Sequence, residues 1–124
     1  MGLDNIVYER KGVQNKELAE AMQNLTGGFL TDDANSFRGK VYSDLNESIC
    51  GYSLYETDEW DNETLTAIIN DYEKLLKEGV NEWLDNYNKN VNIWDKEYTE
   101  KEVRSLLKIF TLCKDNYWQI IAWY

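Results

Sequence analysis

From Asn62 onward, apolar residues return every three or four positions: Leu65, Ile68, Ile69, Tyr72, Leu75, Leu76, Val80, Trp83, Leu84 and Tyr87. This rhythm predicts one long amphipathic helix. Asp61 or Asn62 is placed to cap it, and Glu63 suits the positive end of the helix dipole in the first turn. A second run, Val103, Leu106, Leu107, Phe110, Cys113, Tyr117, Ile120 and Ile121, predicts a last helix. It opens on a capping box, Thr99 with Glu102 three residues on, and Tyr98 is spaced to staple against Val103. The stretch from Asn88 to Glu97, "NKNVNIWDKE", connects the two.

The first half is patterned on a shorter scale. Asn5 to Glu9, "NIVYE", is rich in β-formers and predicts a strand. Leu18, Met22 and Leu25 predict a helix that Gly27 can end with positive φ. "FLTDDANS" is expected to be a loop. Phe37, Val41, Leu45 and Ile49 predict a short helix capped by Ser36 and ended by Gly51, with Gly39 inside it as a point of close approach. "YSLYE" predicts another short strand. The expectation is an α+β chain forming a single domain over residues 1–124, with strands and short helices in 1–60 and a two-helix half in 61–124.

Composition narrows the function. The net charge is −10, from 13 basic and 23 acidic residues. Nonspecific binding to nucleic acid or to an anionic membrane surface needs a cationic face and is not expected. Histidine is absent, which removes the commonest general base and metal ligand. Two cysteines, Cys50 and Cys113, cannot build a four-cysteine zinc site and are expected to be small buried hydrophobes. No nucleotide-binding glycine motif and no nucleophile elbow occurs. The expectation is a protein that is not an enzyme and uses no cofactor or metal. No secretory leader or apolar span is evident, which predicts a cytoplasmic protein. The aromatic stretch "YWQIIAWY" at residues 117–124 predicts packing on a sheet or on a second copy, hence a homodimer.

Against the acidic background, two basic islands stand out. Arg38 and Lys40 lie in a stretch without acids, Ala34 to Ser43. Arg104 and Lys108 lie one turn apart in a segment, Tyr98 to Lys114, with four basic and two acidic residues. Like charges at that spacing repel, and an anion between them would reverse the sign. The plainer reading pairs Arg104 with Glu100 on a solvated face. Asn88, Asn92 and Trp94 are candidates for a nucleobase or ribose contact, although asparagines also make ordinary turns and Trp94 can plug a loop.

"SFRGKVYSDL", "GYSLY" and the helical C-terminal half with Arg104 and Lys108 resemble the phage-encoded Thoeris anti-defence sponge family. The resemblance implies an N-terminal antiparallel sheet, then two long helices that interlock in a homodimer. It implies sequestration, without cleavage, of a cyclic ADP-ribose isomer (glycocyclic ADP-ribose) in the cytoplasm of an infected bacterial host. Some members also hold cyclic oligonucleotides at separate sites in a larger assembly. On that pattern Arg104 and Lys108 would grip the diphosphate, with Lys108 where the family has arginine. Asn88, Asn92 and Trp94 would supply polar and stacking contacts, and Arg38 would serve the same pocket or a second one. The competing reading is an acidic nucleic-acid mimic that inhibits a basic host protein through carboxylates such as Asp32, Asp33, Asp58, Glu59 and Asp61.

Overall fold

In the computed structural model, residues 4–8, 15–30, 34–56, 60–90 and 96–123 are described. The elements run β1 (Asp4–Tyr8), α1 (Lys16–Gln23), β2 (Phe29–Leu30), β3 (Ala34–Phe37), α2 (Gly39–Cys50), a 3₁₀ turn (Leu54–Glu56), α3 (Asn62–Glu78), α4 (Val80–Asn90), α5 (Glu100–Asn116) and β4 (Gln119–Trp123).

The helix starts follow local chemistry. Asn15 caps α1 by accepting from the Leu18 N–H at 2.9 Å, and Asp61 caps α3 by accepting from the Thr64 N–H at 2.8 Å. The capping box of α5 is complete: the Thr99 hydroxyl accepts from the Glu102 N–H, and the Glu102 carboxylate accepts from the Thr99 N–H. Each cap occupies a donor that the first turn leaves open.

The amphipathic run from Asn62 is two helices, not one. Gly79 has φ +121°, outside the helical region, and separates α3 from α4. The rhythm of apolar residues carries across the break, because both helices bury the same side against the core. The last helix is also shorter than expected. It ends at Asn116, where Tyr117 adopts a left-handed conformation at φ 59°, and the chain leaves as a strand.

The sheet is antiparallel with strand order β2-β3-β1-β4. Val7 faces Asn35 on one side and Ile120 on the other, so the first described strand is flanked by the last.

These observations correct the expected α+β plan of an N-terminal antiparallel sheet followed by two long helices. The described residues are mostly helical, with five α-helices and short strands among them. The sheet is not confined to the N-terminal half, since β1 also pairs along its whole length with the C-terminal β4. The interlocked arrangement is overturned with the plan. It needs open apolar faces on the long helices, yet Leu65, Ile68 and Tyr72 of α3 and Leu106, Ile109 and Phe110 of α5 are buried within the single chain.

Smaller corrections follow from geometry. Asn24, not Gly27, ends α1, and Gly27 sits in the turn beyond. The residues read as a loop after Gly28 include β2 and β3, with 31–33 outside the described residues. Arg38 rather than Ser36 occupies the cap of α2, so Gly39 begins that helix instead of interrupting it. Gly51 does end it, at φ 83°. "YSLYE" holds a 3₁₀ turn, not a strand.

Helix α5 is the centre of the fold, with α1, α3 and α4 packed against it. Its Phe110 ring lies 5.5 Å from Tyr72 of α3 and 5.6 Å from Trp60, centroid to centroid. Edge-on and tilted aromatic contacts of this kind add to the stabilisation from buried area. Among the described residues, no helix is long and apolar enough to cross a membrane.

Candidate functional site

Helix α1 buries Leu18, Ala21 and Met22, which leaves Glu17 and Glu20 exposed on its flank. Helix α5 turns Val103, Leu106 and Phe110 inward, and that phase leaves Lys101, Arg104 and Lys108 exposed. Where the two helices pack, these flanks form the walls of a groove of about 480 Å³. Ala21, Asn24 and Ser105 also line it, and the Asn24 amide donates to the Ser105 hydroxyl at 3.0 Å.

The groove's cations already have partners. The Arg104 Nε donates to Glu100 at 2.8 Å on the same helix, and Lys108 Nζ reaches Glu17 of α1 at 3.3 Å. Arg104 holds the Glu100 carboxyl below the usual carboxylate range through that hydrogen bond. The plainer expectation for Arg104, a pair with Glu100 on a solvated face, is therefore what the geometry displays. Among the described residues, three acidic side chains (Glu17, Glu20, Glu100) and three basic ones (Lys101, Arg104, Lys108) line the groove, and their formal charges balance.

Arg38 and Asn88 are not gathered here. Asn88 lines a second groove of about 280 Å³ beside α4. Its amide donates to the Tyr98 carbonyl at 3.0 Å while its oxygen accepts from the Tyr98 N–H at 2.9 Å, which pins the residue before α5 to α4. Arg38 is exposed at the start of α2, and its N–H donates to the Thr26 carbonyl at 3.0 Å. Asn92 and Trp94 lie outside the described residues, as do Asp32, Asp33, Asp58 and Glu59 of the acidic-mimic reading. Asp61 is occupied as the α3 cap.

The lack of acids from Ala34 to Ser43 has a structural cause. This stretch is β3, an inner strand, followed by the first turns of α2, where Phe37, Gly39, Tyr42 and Ser43 are buried. A carboxylate at those positions would lose its hydration.

A more deeply buried polar cluster escaped the pattern of the sequence. Glu102 is 5 % exposed and accepts from the Tyr42 hydroxyl at 2.5 Å, from Lys96 Nζ at 2.9 Å and from Thr99. Tyr42 in turn accepts from the Thr26 N–H at 2.8 Å. Burial, then the bond to Glu102, pushes the Tyr42 phenol well above its ordinary range. Nearby, the Tyr98 hydroxyl donates to the Val41 carbonyl. The capping-box spacing found Glu102, but no spacing rule links it to Tyr42, 60 residues earlier.

The cysteines are free, Cys113 buried and Cys50 half-buried. Burial pushes the Cys50 thiol up to about 11, and the Cys113 thiol is raised by burial as well. Among the described residues, no three metal-ligating side chains cluster.

No family model matches the chain, and neither does any curated protein or solved structure. The likeness to the sponge family thus has only short words of sequence behind it.

Proposed function

We propose that this chain is a non-catalytic binding protein whose α1–α5 groove captures a small phosphorylated nucleotide, with glycocyclic ADP-ribose as the ligand class. One observation carries the reading: Arg104 and Lys108, chosen as an anion grip from their spacing, line the same groove, with Lys101 beside them. At about 480 Å³ the groove lies within the roughly 300–1,000 Å³ range of small-molecule sites.

The ion pairs that occupy these cations are exposed, with the Arg104 and Lys108 side chains 59 % and 45 % accessible. Such pairs contribute little and are screened by salt. A diphosphate offers the guanidinium a bidentate partner and displaces Glu100 at small cost. The carboxylates of Glu17 and Glu20 on the α1 wall suit the other half of a nucleotide, its amino and hydroxyl donors. They disfavour a bare polyanion. A mixed lining thus favours a nucleotide over inorganic phosphate.

On this reading the protein acts in the cytoplasm of an infected bacterial host, as a homodimer, and holds its ligand intact. Arg38 and Asn88 belong to the proposal only as sites apart from the groove, and Asn92 and Trp94, outside the described residues, keep the contacts that the resemblance gives them. Titration calorimetry with the two glycocyclic ADP-ribose isomers tests it. Binding that Arg104→Ala weakens at least about tenfold is expected, with the ligand recovered unchanged after denaturation. No heat with either isomer rejects the ligand class, and a cleaved product rejects the non-catalytic role. A salt-sensitive basic protein captured in place of either ligand returns the acidic-mimic reading.

A further inference from the structure

We infer that Glu20 and Asn24 of α1 form an acceptor pair that selects a nucleobase carrying an exocyclic amino group. The inference rests on the reading of the α1–α5 groove as a nucleotide site, and it says which kind of base that site takes.

The two walls of the groove differ in what they have left to offer. On α5, Arg104 and Lys108 present cations one turn apart. On α1, Glu17 is engaged by Lys108, but among the described residues no ion pair or hydrogen bond holds the Glu20 carboxylate. Asn24 lies one turn further along the same wall. A relay fixes which way its amide faces. The Ser105 hydroxyl donates to the Lys101 carbonyl at 2.8 Å, so its oxygen must accept from Asn24, whose nitrogen lies 3.0 Å away. That leaves the Asn24 Oδ1 without a donor among the described residues. The α1 wall therefore offers two acceptors opposite the cations of α5.

Spacing then names the group. Asn24 keeps a right-handed helical backbone at φ −81°, so Glu20 and Asn24 stand in i,i+4 relation. Side chains so placed have Cβ atoms about 5–6 Å apart. An amino group that donates both hydrogens at about 2.9 Å needs acceptors about 5 Å apart. One exocyclic amino group thus bridges the pair. A carbonyl in its place sets oxygen against two oxygens, and the ring N–H beside it serves only one of them. Adenine meets the demand and hypoxanthine does not. Between the walls lie Ala21 and Ser105, small and buried, so no large side chain obstructs a flat ring.

Calorimetry with adenosine diphosphate and inosine diphosphate tests the inference. The two probes carry the same phosphate charge, so their affinity ratio does not register the general repulsion between Glu20 and an anion. Adenosine diphosphate is expected to bind about fivefold tighter. Glu20→Gln offers a donor as well as an acceptor at similar helix propensity, and is expected to bring the ratio to about two or less. Glu20→Lys, a donor only, is expected to invert it, with the circular dichroism of both variants unchanged. Equal affinities in the unaltered chain overturn the inference, and so does a ratio that both substitutions leave as it was. If glycocyclic ADP-ribose binds through Arg104 while the two diphosphates are silent or not distinguished, this inference alone falls. If Arg104→Ala leaves the binding of every nucleotide untouched, the reading of the groove falls and takes this inference with it.

Discussion

Helix α5 carries two ion-pair sites within its first three turns, and they differ in almost everything but chemistry. On the inner face, Glu102 is buried and holds Tyr42, Lys96 and Thr99. On the outer face, Arg104 and Lys108 hold carboxylates that stand in water. The inner site joins α5 to α2, to the turn after α1 and to the segment before α5, and the bond between the buried Tyr42 and Glu102 replaces hydration already lost. The outer site keeps its water and can exchange partners. A buried pair therefore fixes the fold, while an exposed pair leaves cations available to a ligand.

The comparison breaks most sharply at Glu102. Glu102→Ala removes the acceptor of the buried Tyr42 hydroxyl and breaks the ties to Lys96 and Thr99, and is expected to cost about 3 kcal/mol in denaturant unfolding. A loss too small to measure would make the inner site no different from the outer one. Tyr42→Phe removes one arm of that cluster and is expected to cost about 1–3 kcal/mol.

Gly79→Ala probes the hinge between α3 and α4. A Cβ there meets nothing within 4 Å, but φ +121° strains any L side chain, so a loss of about 1 kcal/mol is expected. Arg104→Ala is expected to leave the unfolding midpoint unchanged while it weakens the proposed ligand.

Two pH effects sharpen the contrast from opposite ends. Tyr42, Tyr72 and Tyr98 are raised by burial above the ordinary tyrosine value of about 10. Only the unfolded chain releases their protons near that value, so stability is fully present below it and falls as pH rises beyond it. Tyrosinate absorbance from these rings should appear together with unfolding. Asp61 is lowered by the Thr64 N–H it caps, so its contribution is present above the ordinary aspartate range and fades as pH falls through its lowered value. Asp61→Asn keeps the cap and should flatten that small acid-side dependence.

Local chemistry was readable wherever it acts over one or two turns. Thr99 with Glu102, Asp61 as one of two cap candidates for α3, and Gly51 at the end of α2 were all visible as local signals. What stayed hidden depended on distant partners. The period from Asn62 to Tyr87 ran straight through Gly79, because a break that preserves the buried side leaves the spacing intact. Ile120 and Ile121 continued the helical period of α5, but β1 offered them a strand to pair with, and Tyr117 turned the chain toward it. The groove was half legible: Arg104 and Lys108 shared a helix, whereas Glu17, Glu20 and Asn24 joined them only through the packing of α1 on α5. Asn88 looked like a ligand contact because its backbone-tying role needs Tyr98, ten residues on.

The ladder between β1 and β4 closes a loop that spans nearly the whole polypeptide, from Asp4 to Trp123. Closing so long a loop carries an entropic cost that local helical contacts do not share. The helices around α5 must therefore assemble before these strands can meet, and the strands should be first to part under mild stress. Synthesis on the ribosome would leave one side of β1 unpaired until β4 emerges, long after β3 has covered the other.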